Sequence, residues 1–388
     1  MRLAGTVKQK ASLLRALPLG VVIPAFVLCA VGIGFIYSAS TDFELLAEGI
    51  AQPRDFHVKQ AAFVLFGVLL MLFIALLPPR WISGYWYIWM ACGLLMLGAV
   101  LVFGRTVNGA KSWIMIGPLG LQPSELCKPL LVVALAGYLR YHRSIDSLRA
   151  FIACLAIAGA FLLPIMMQPD LGTAMVFIPV VAAMIWVAGG NKVYLGSLAA
   201  CGVALIPGAY VFGLLKEHQM KRIEIYLSGL SGEVSDRTGD GYQILQSMTA
   251  IGSGGVAGEG FGMGSQSQLA FLPERHNDFI FAVISQEVGL IGVCLFMAVL
   301  FFMVTRILRV ADGTRDPFSR LVVIGVAAIF FAQSAINIAV VSGMLPVTGI
   351  TLPLVSYGGS SLLSGFIALG LVCNVAMQPV RMMGRATF

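Results

Sequence analysis

Charge is what this chain has least of. Only 11% of its 388 residues are charged, while 59% are hydrophobic; an ordinary soluble domain carries roughly 25% charge. So much apolar surface cannot be hidden in a water-soluble core, which excludes the soluble classes. Histidine is scarce, with four residues scattered at His57, His142, His218 and His276. The seven cysteines (Cys29, Cys92, Cys127, Cys154, Cys201, Cys294 and Cys373) all fall within or at the edge of apolar runs, without metal-ligand or disulfide spacing. Buried free thiols are the expectation, and a zinc site or a disulfide framework is not. An internal repeat of the kind common in transporters is missing. Glycines abound at 254, 255, 258, 260, 262 and 264, but no Gly-Lys-Ser/Thr ending follows them and no buried strand precedes them. They read as a tight backbone turn re-entering the membrane boundary, not as a nucleotide loop.

What is present is a series of apolar runs of about 20 residues, the length that crosses a hydrocarbon layer as helix. They lie at 19–39, 60–77, 83–103, 121–138, 150–167, 171–188, 193–214, 281–304, 321–342 and 361–376. The fold class is therefore all-α: a polytopic membrane protein of about ten transmembrane helices, forming one integral-membrane domain over 1–388. The first run is long, has no small-residue cleavage site and is followed by further spans, so it reads as a retained helix and not a signal peptide. With the N-terminus inside, the cytoplasmic segments collect fifteen Lys and Arg, among them Arg80, Arg140, Arg149, Lys192, Arg306 and Arg320, against only Asp146, Asp312 and Asp316. Both termini are then cytoplasmic, and the net charge of +7 requires no nucleic acid. Two outer connections stand out. Residues 104–120 form a medium loop; residues 216–278 form a long extracytoplasmic one, and loops of that size are seldom without function.

Four stretches can carry chemistry. Gln122-Pro123-Ser124-Glu125 is followed by Lys128. Glu125 and Lys128 share a helical face and either neutralise one another or, with Lys111, meet an anionic lipid headgroup. Trp113 is an interfacial anchor or a ligand contact. Next, Asp170 in Gln168-Pro169-Asp170-Leu171-Gly172-Thr173 either caps the following helix or contacts substrate or a cation. The sharpest stretch ends the long loop: Glu274-Arg275-His276-Asn277-Asp278 precedes an apolar helix. At the mouth of the membrane, desolvation would raise the pKa of Asp278 enough for it to accept a proton usefully; the plainer reading is a helix N-cap. Glu287, deeper in that helix, is costly there unless it is partnered. Finally, Pro346 to Gly349 and Pro353 to Ser361, including Ser356 and Ser360, look like a broken or re-entrant segment lining a cavity, or else like small-residue helix packing.

These stretches, with Asn108-Gly109-Ala110-Lys111-Ser112-Trp113, occur in the order and with the intervening spans of the SEDS family of bacterial membrane proteins, which the chain resembles over essentially its whole length. Arg275 between Glu274 and His276, and the short tail before the first span, resemble the family's elongation branch more than its division branch. Asn277 stands where the family usually has threonine, and Gln286 where glutamate is common. The resemblance implies a peptidoglycan glycosyltransferase that polymerises lipid II at the outer face of the cytoplasmic membrane, with Asp278 as the essential catalytic residue and general base. It makes Lys111, Trp113, Gln122, Ser124, Glu125, Lys128, Asp170, Glu274, Arg275, His276, Ser356 and Ser360 candidate substrate contacts. It implies dependence on a divalent cation, Mg or Mn, which Asp170 or Glu274 would share with the pyrophosphate. It also implies a class B penicillin-binding protein as partner, within an elongation complex containing MreB, MreC and MreD. The competing expectation is a flippase for lipid II or another lipid-linked sugar.

Overall fold

The computed structural model describes residues 16–41, 55–107, 110–117, 119–141, 147–200, 220, 240–265 and 274–378. The helices among them are α1 (Leu19–Ser40), α2 (Phe56–Leu76), α3 (Pro79–Gly84), α4 (Trp86–Phe103), α5 (Pro123–Leu139), α6 (Leu148–Met167), α7 (Leu171–Val187), α8 (Asp240–Ser253), α9 (Ile280–Asp312), α10 (Pro317–Val341) and α11 (Gly359–Ala376). Seven of these, α1, α2, α4, α6, α9, α10 and α11, are long and apolar enough to cross a membrane; α7 is a shorter apolar helix. α5 has 17 residues and carries Glu125 and Lys128 in its first turns. The expected span at 193–214 runs into residues 201–219, which lie outside the described ones. This is the all-α polytopic membrane architecture that the apolar runs require.

Burial sorts the helices into layers. α5 is buried along almost its whole length, and α10 and α11 are the most enclosed of the long helices. α11 lies along α2, and α10 is held among α9, α7 and α5. α2 and α4 turn Leu65, Phe66, Leu69, Phe73, Leu95, Val102 and Phe103 outward, side chains that suit hydrocarbon and not water. Six of the cysteines are described and are free thiols; Cys92 and Cys294 are the exposed ones.

Two expectations are corrected. The loop expected at 104–120 holds a three-stranded antiparallel sheet in the order β1 (Arg105–Val107), β2 (Ala110–Ile116) and β3 (Leu119–Leu121). Gly117, with φ of +62°, supplies the left-handed turn between β2 and β3, where a side chain would be strained. The run expected as one helix at 281–304 is broken inside α9 at Gly289, whose φ of 62° and ψ of −168° are not helical. The leading piece, 280–288, is roughly 13 Å long, and every side chain from Ile280 to Glu287 is buried. Beyond the break, Leu290, Ile291 and Leu295 are exposed.

The glycine run produces that break. After α8 the chain turns back on α9, and its backbone amides take carbonyls freed there: Glu259 N–H donates to Gln286 O and Gly260 N–H to Glu287 O, both at 3.0 Å. In return, Leu290 N–H donates to Gly255 O at 3.0 Å and Ile291 N–H to Val256 O at 3.2 Å. The approach is backbone to backbone. A Cβ on Gly258 would lie 2.2 Å from Glu287 O, and one on Gly289 2.3 Å from Gly258 N. Glu287 sits at this junction with 1% exposure. Its carboxylate accepts from the Ser38 hydroxyl of α1 and, at 3.0 Å, from Gly262 N–H, so hydrogen bonds supply the partners that its depth demands. On the turn itself, burial pushes the Glu259 carboxyl up, but donors from Ser265, Ser253 and Gln286 outweigh that and hold it below its ordinary value.

Gly289→Ala meets both a forbidden backbone region and a backbone clash. It is expected to destabilise by roughly 1–3 kcal/mol from strain alone, seen as a lower melting temperature of the detergent-purified protein. Gly252→Ala, on the exposed side of α8 with nothing within 4 Å of the added Cβ, leaves the melting temperature unchanged or slightly raised.

Candidate active site

The turn 274–279 ends the long loop and delivers Asp278 to the bundle. Glu274 adopts φ of +52°, and its carbonyl accepts from Asn277 N–H at 2.9 Å while its carboxylate accepts from the Asn277 amide. His276 stacks on Phe56, the first residue of α2, with ring centroids 4.5 Å apart, and lies 5.7 Å from the Tyr357 ring. The His276 carbonyl accepts from Tyr357 N–H at 2.9 Å. Arg275 and Asp278 are half-buried. The N-cap of α9 is Phe279, with no side-chain cap, so Asp278 is not an N-cap aspartate.

The partner of this turn is the irregular segment 342–358 between α10 and α11. Its part from 350 to 356 is buried apart from the partly exposed Thr351, and backbone groups there need partners from the protein. Side chains supply the bonds. Gln60 of α2 donates to Ser356 O at 3.0 Å, and the Ser356 hydroxyl accepts from Leu352 N–H at 2.7 Å. From α10, Gln333 donates to Thr351 O at 2.9 Å and Asn337 to Ile350 O at 2.7 Å. Asn337 also donates to Asp278 O at 2.8 Å. A Cβ on Gly349 would stand 3.6 Å from Asp278 Oδ2, so this segment forms one wall beside the carboxylate. The expectation of a broken, re-entrant stretch is met; of its named serines, Ser356 braces the turn and Ser360 starts α11.

A second acidic group meets the same segment from the other side. Asp170 caps α7, accepting from Thr173 N–H at 3.0 Å, and its Oδ2 also accepts from Gln122 at 2.9 Å, Ser124 at 2.7 Å and the Thr173 hydroxyl at 2.9 Å. Gln122 N–H donates to the Ser360 hydroxyl at 2.8 Å, and Gly172 packs on the carbonyl of Thr348 so closely that a Cβ would lie 2.5 Å from it. Deeper, Lys128 pairs with Glu125 at 2.7 Å and donates to Gln333 Oε1 at 2.9 Å. Lys128 is 2% exposed. Glu125 Oε2 and Thr348 Oγ1 are buried without a hydrogen-bond partner, polar atoms that call for a donor.

The site residues thus divide. Glu274, Arg275, His276, Asp278 and Ser356 share one junction, and Gln122, Ser124, Asp170 and Ser360 form a second across the same segment. Glu125 and Lys128 join them through Gln333. Lys111 and Trp113 belong to the sheet: the Lys111 ammonium donates to Leu101 O at 2.7 Å and Val102 O at 3.2 Å, closing the carbonyl end of α4, and the Trp113 ring covers Gly120. Gln60, Gln333, Asn337, Thr351 and Tyr357 were not singled out from the sequence. Gln333 and Asn337 did carry a signal, two amides at i,i+4 inside an apolar span. For a divalent cation the donor set is poor. Asp170 already accepts four donors, Glu125 is paired, and the described residues hold no group of three or more His, Cys, Asp or Glu placed to share an ion.

Comparison with known proteins places the chain in a family. The family profile for FtsW, RodA and SpoVE, described as "Cell cycle protein", matches residues 20–380. The chain is 36% identical over 310 residues to the peptidoglycan glycosyltransferase MrdB of Escherichia coli, covering 80% of this chain and 82% of that one. It is 34% identical over 348 residues to a probable peptidoglycan glycosyltransferase FtsW of Aliivibrio salmonicida, covering 88% and 85%. Among solved structures, the rod shape determining protein RodA of Thermus thermophilus superposes with a TM-score of 0.68 at 28% identity, covering 92% of this chain and 96% of that one. A chain from a structure concerned with coordination of polymerization and crosslinking by a peptidoglycan synthase complex gives 0.76 at 28% identity, covering 92% and 97%.

Breaking the Glu125–Lys128 pair from one side strands a buried charge. Lys128→Met is expected to destabilise by about 3–5 kcal/mol, whereas Glu125→Gln combined with Lys128→Met recovers most of that loss. Thermal unfolding of the two single variants and the double variant measures the coupling.

Proposed function

The chain belongs to the FtsW/RodA/SpoVE family of cell cycle proteins, and on that premise we propose that it is a peptidoglycan glycosyltransferase that polymerises lipid II, with Asp278 as general base. The observation that carries the assignment of Asp278 is the junction itself. Asp278 is half-buried, precedes the N-cap residue Phe279 of α9, and has its Oδ2 beside Gly349, whose following residues are fixed by side chains from α2 and α10. In the reaction, Asp278 takes the proton of an acceptor sugar hydroxyl as that oxygen attacks the anomeric carbon of the growing glycan. The bond from that carbon to the pyrophosphate oxygen breaks, and undecaprenyl pyrophosphate leaves with the bonding pair. One base suffices, because the leaving group is already activated; the configuration inverts.

Arg275, in the same turn as Asp278, is the cation we assign to the departing pyrophosphate. Lys128 and Lys111 are engaged elsewhere, by Glu125 and Gln333 and by the carbonyl end of α4. No step is routed through a divalent ion: Asp170 accepts four donors and Glu125 is paired with Lys128. The site faces outward from the bacterial cytoplasmic membrane, with both termini inside. Supporting that orientation, Arg80, Arg140, Arg149, Arg306, Arg309 and Arg320 lie towards the ends of their helices away from the Asp278 junction. The match to a chain of a synthase complex that also crosslinks supports a class B penicillin-binding protein as partner. Arg275 favours the RodA role in elongation, alongside MreB, MreC and MreD, over the FtsW role in division.

Purified protein supplied with lipid II is expected to yield glycan polymer, and Asp278→Asn to reduce the rate by at least about 10²-fold, in the range that removal of a positioned base costs. Wild-type polymer yield from Asp278→Asn would sink the assignment. A flippase predicts instead that both proteins scramble lipid II across vesicles and neither makes polymer.

A further inference from the structure

Two side chains of α10 join the bundle to the irregular segment. Gln333 and Asn337 lie one turn apart and are 3% and 1% exposed. They hold successive carbonyls of the chain, Thr351 O from Gln333 and Ile350 O from Asn337. Each has a second contact on its far side. Gln333 Oε1 accepts from Lys128, whereas the amide nitrogen of Asn337 reaches across to Asp278 O. Asp278 precedes the N-cap of α9, so its carbonyl stands outside that helix's own ladder. The two N–H groups of one buried amide therefore bridge the main chain of Asp278 and that of Ile350, at 2.8 and 2.7 Å. The neighbour of Ile350 is Gly349, the residue beside Asp278 Oδ2.

We propose that Asn337 is a positioning residue for the transferase reaction: it fixes the distance between the Asp278 carboxylate and the 349–351 wall by donating to the backbone on both sides. This rests on the reading of Asp278 as base. Asn337 acts through Asp278 and does not itself meet the acceptor hydroxyl. Removing its two donors leaves both carbonyls buried without that partner and lets the 274–279 turn move relative to Gly349. A displacement of about 1 Å at a reacting group costs on the order of 10²-fold in rate. Because the acceptor is bound by other groups, the loss falls on kcat.

The test compares Asn337→Ala, the near-isosteric Asn337→Asp, and Ser334→Ala in the purified full-length enzyme with lipid II. Ser334 is a buried neighbour on α10 whose hydroxyl has no hydrogen-bond partner, so it controls for a small loss of packing. We expect kcat to fall about 10- to 100-fold in both Asn337 variants, with KM within about threefold of wild type, and Ser334→Ala to match wild type. Asn337→Asp keeps the size and removes the donors. Wild-type kcat in Asn337→Asp beside a loss in Asn337→Ala assigns the residue to packing and overturns the proposal; so does a rise in KM at unchanged kcat. If Asn337→Asp does not fold, Asn337→Ser, which keeps one donor, decides: kcat above that of Asn337→Ala supports the proposal and equal kcat overturns it. Asp278→Asn is assayed alongside. If it is inactive while the Asn337 variants are normal, only the positioning role falls; if it is active, the base assignment falls and this role with it.

Discussion

Hydrocarbon offers no hydrogen-bond partners, and the arrangement of this protein depends on how it meets that constraint where its chain is not helical. Helices satisfy their own backbones; the segment between α10 and α11 cannot. It is tolerated inside the bundle because Gln60, Gln333 and Asn337 reach it from two different helices and take its carbonyls. Those same amides then determine what the segment can do. By fixing Ile350 and Thr351 they fix Gly349, and with it the surface beside Asp278.

The glycine turn answers the same constraint without side chains. Where α9 breaks at Gly289, the carbonyls of Gln286 and Glu287 lose their helical partners and receive amides from residues 259 and 260. Only glycine permits the approach, since a Cβ on either side would overlap the opposing backbone. The break separates a short piece, buried from Ile280 to Glu287 and carrying the Asp278 turn, from a longer piece that exposes Leu290, Ile291 and Leu295 just beyond it. Glu287 ties the leading piece to α1 and to the glycine turn, so the Asp278 turn is carried on an anchored half-helix and not on a free end.

The acidic side chains of the site differ because their surroundings differ. Asp170 is saturated by four donors, Glu125 is paired with Lys128, and Glu287 is enclosed by a hydroxyl and an amide. Each of these holds elements together. Asp278, half-exposed like Asp170, is carried on the 274–279 turn ahead of the first residue of α9.

Composition and periodicity determined the class of this protein: too few charges for water, apolar runs of spanning length, and basic residues gathered on alternate connections. The order of its polar stretches determined the family and drew attention to Glu274 to Asp278 and to residues 346–361, because ionisable and glycine-rich stretches beside apolar helices are costly unless used. Sequence did not reveal the break at Gly289, since a run of apolar residues reads the same whether or not its backbone is continuous. It did not reveal the sheet at 105–121, whose short strands carry little pattern. Nor did it separate Lys111, engaged at the end of α4, from Arg275 beside Asp278, for both are simply cations near apolar runs. Only tertiary structure decided these. Which carbonyl an amide reaches, and hence whether Asn337 serves α10 alone or holds Asp278 against Ile350, depends on segments 59 and 13 residues away in the chain meeting at one point.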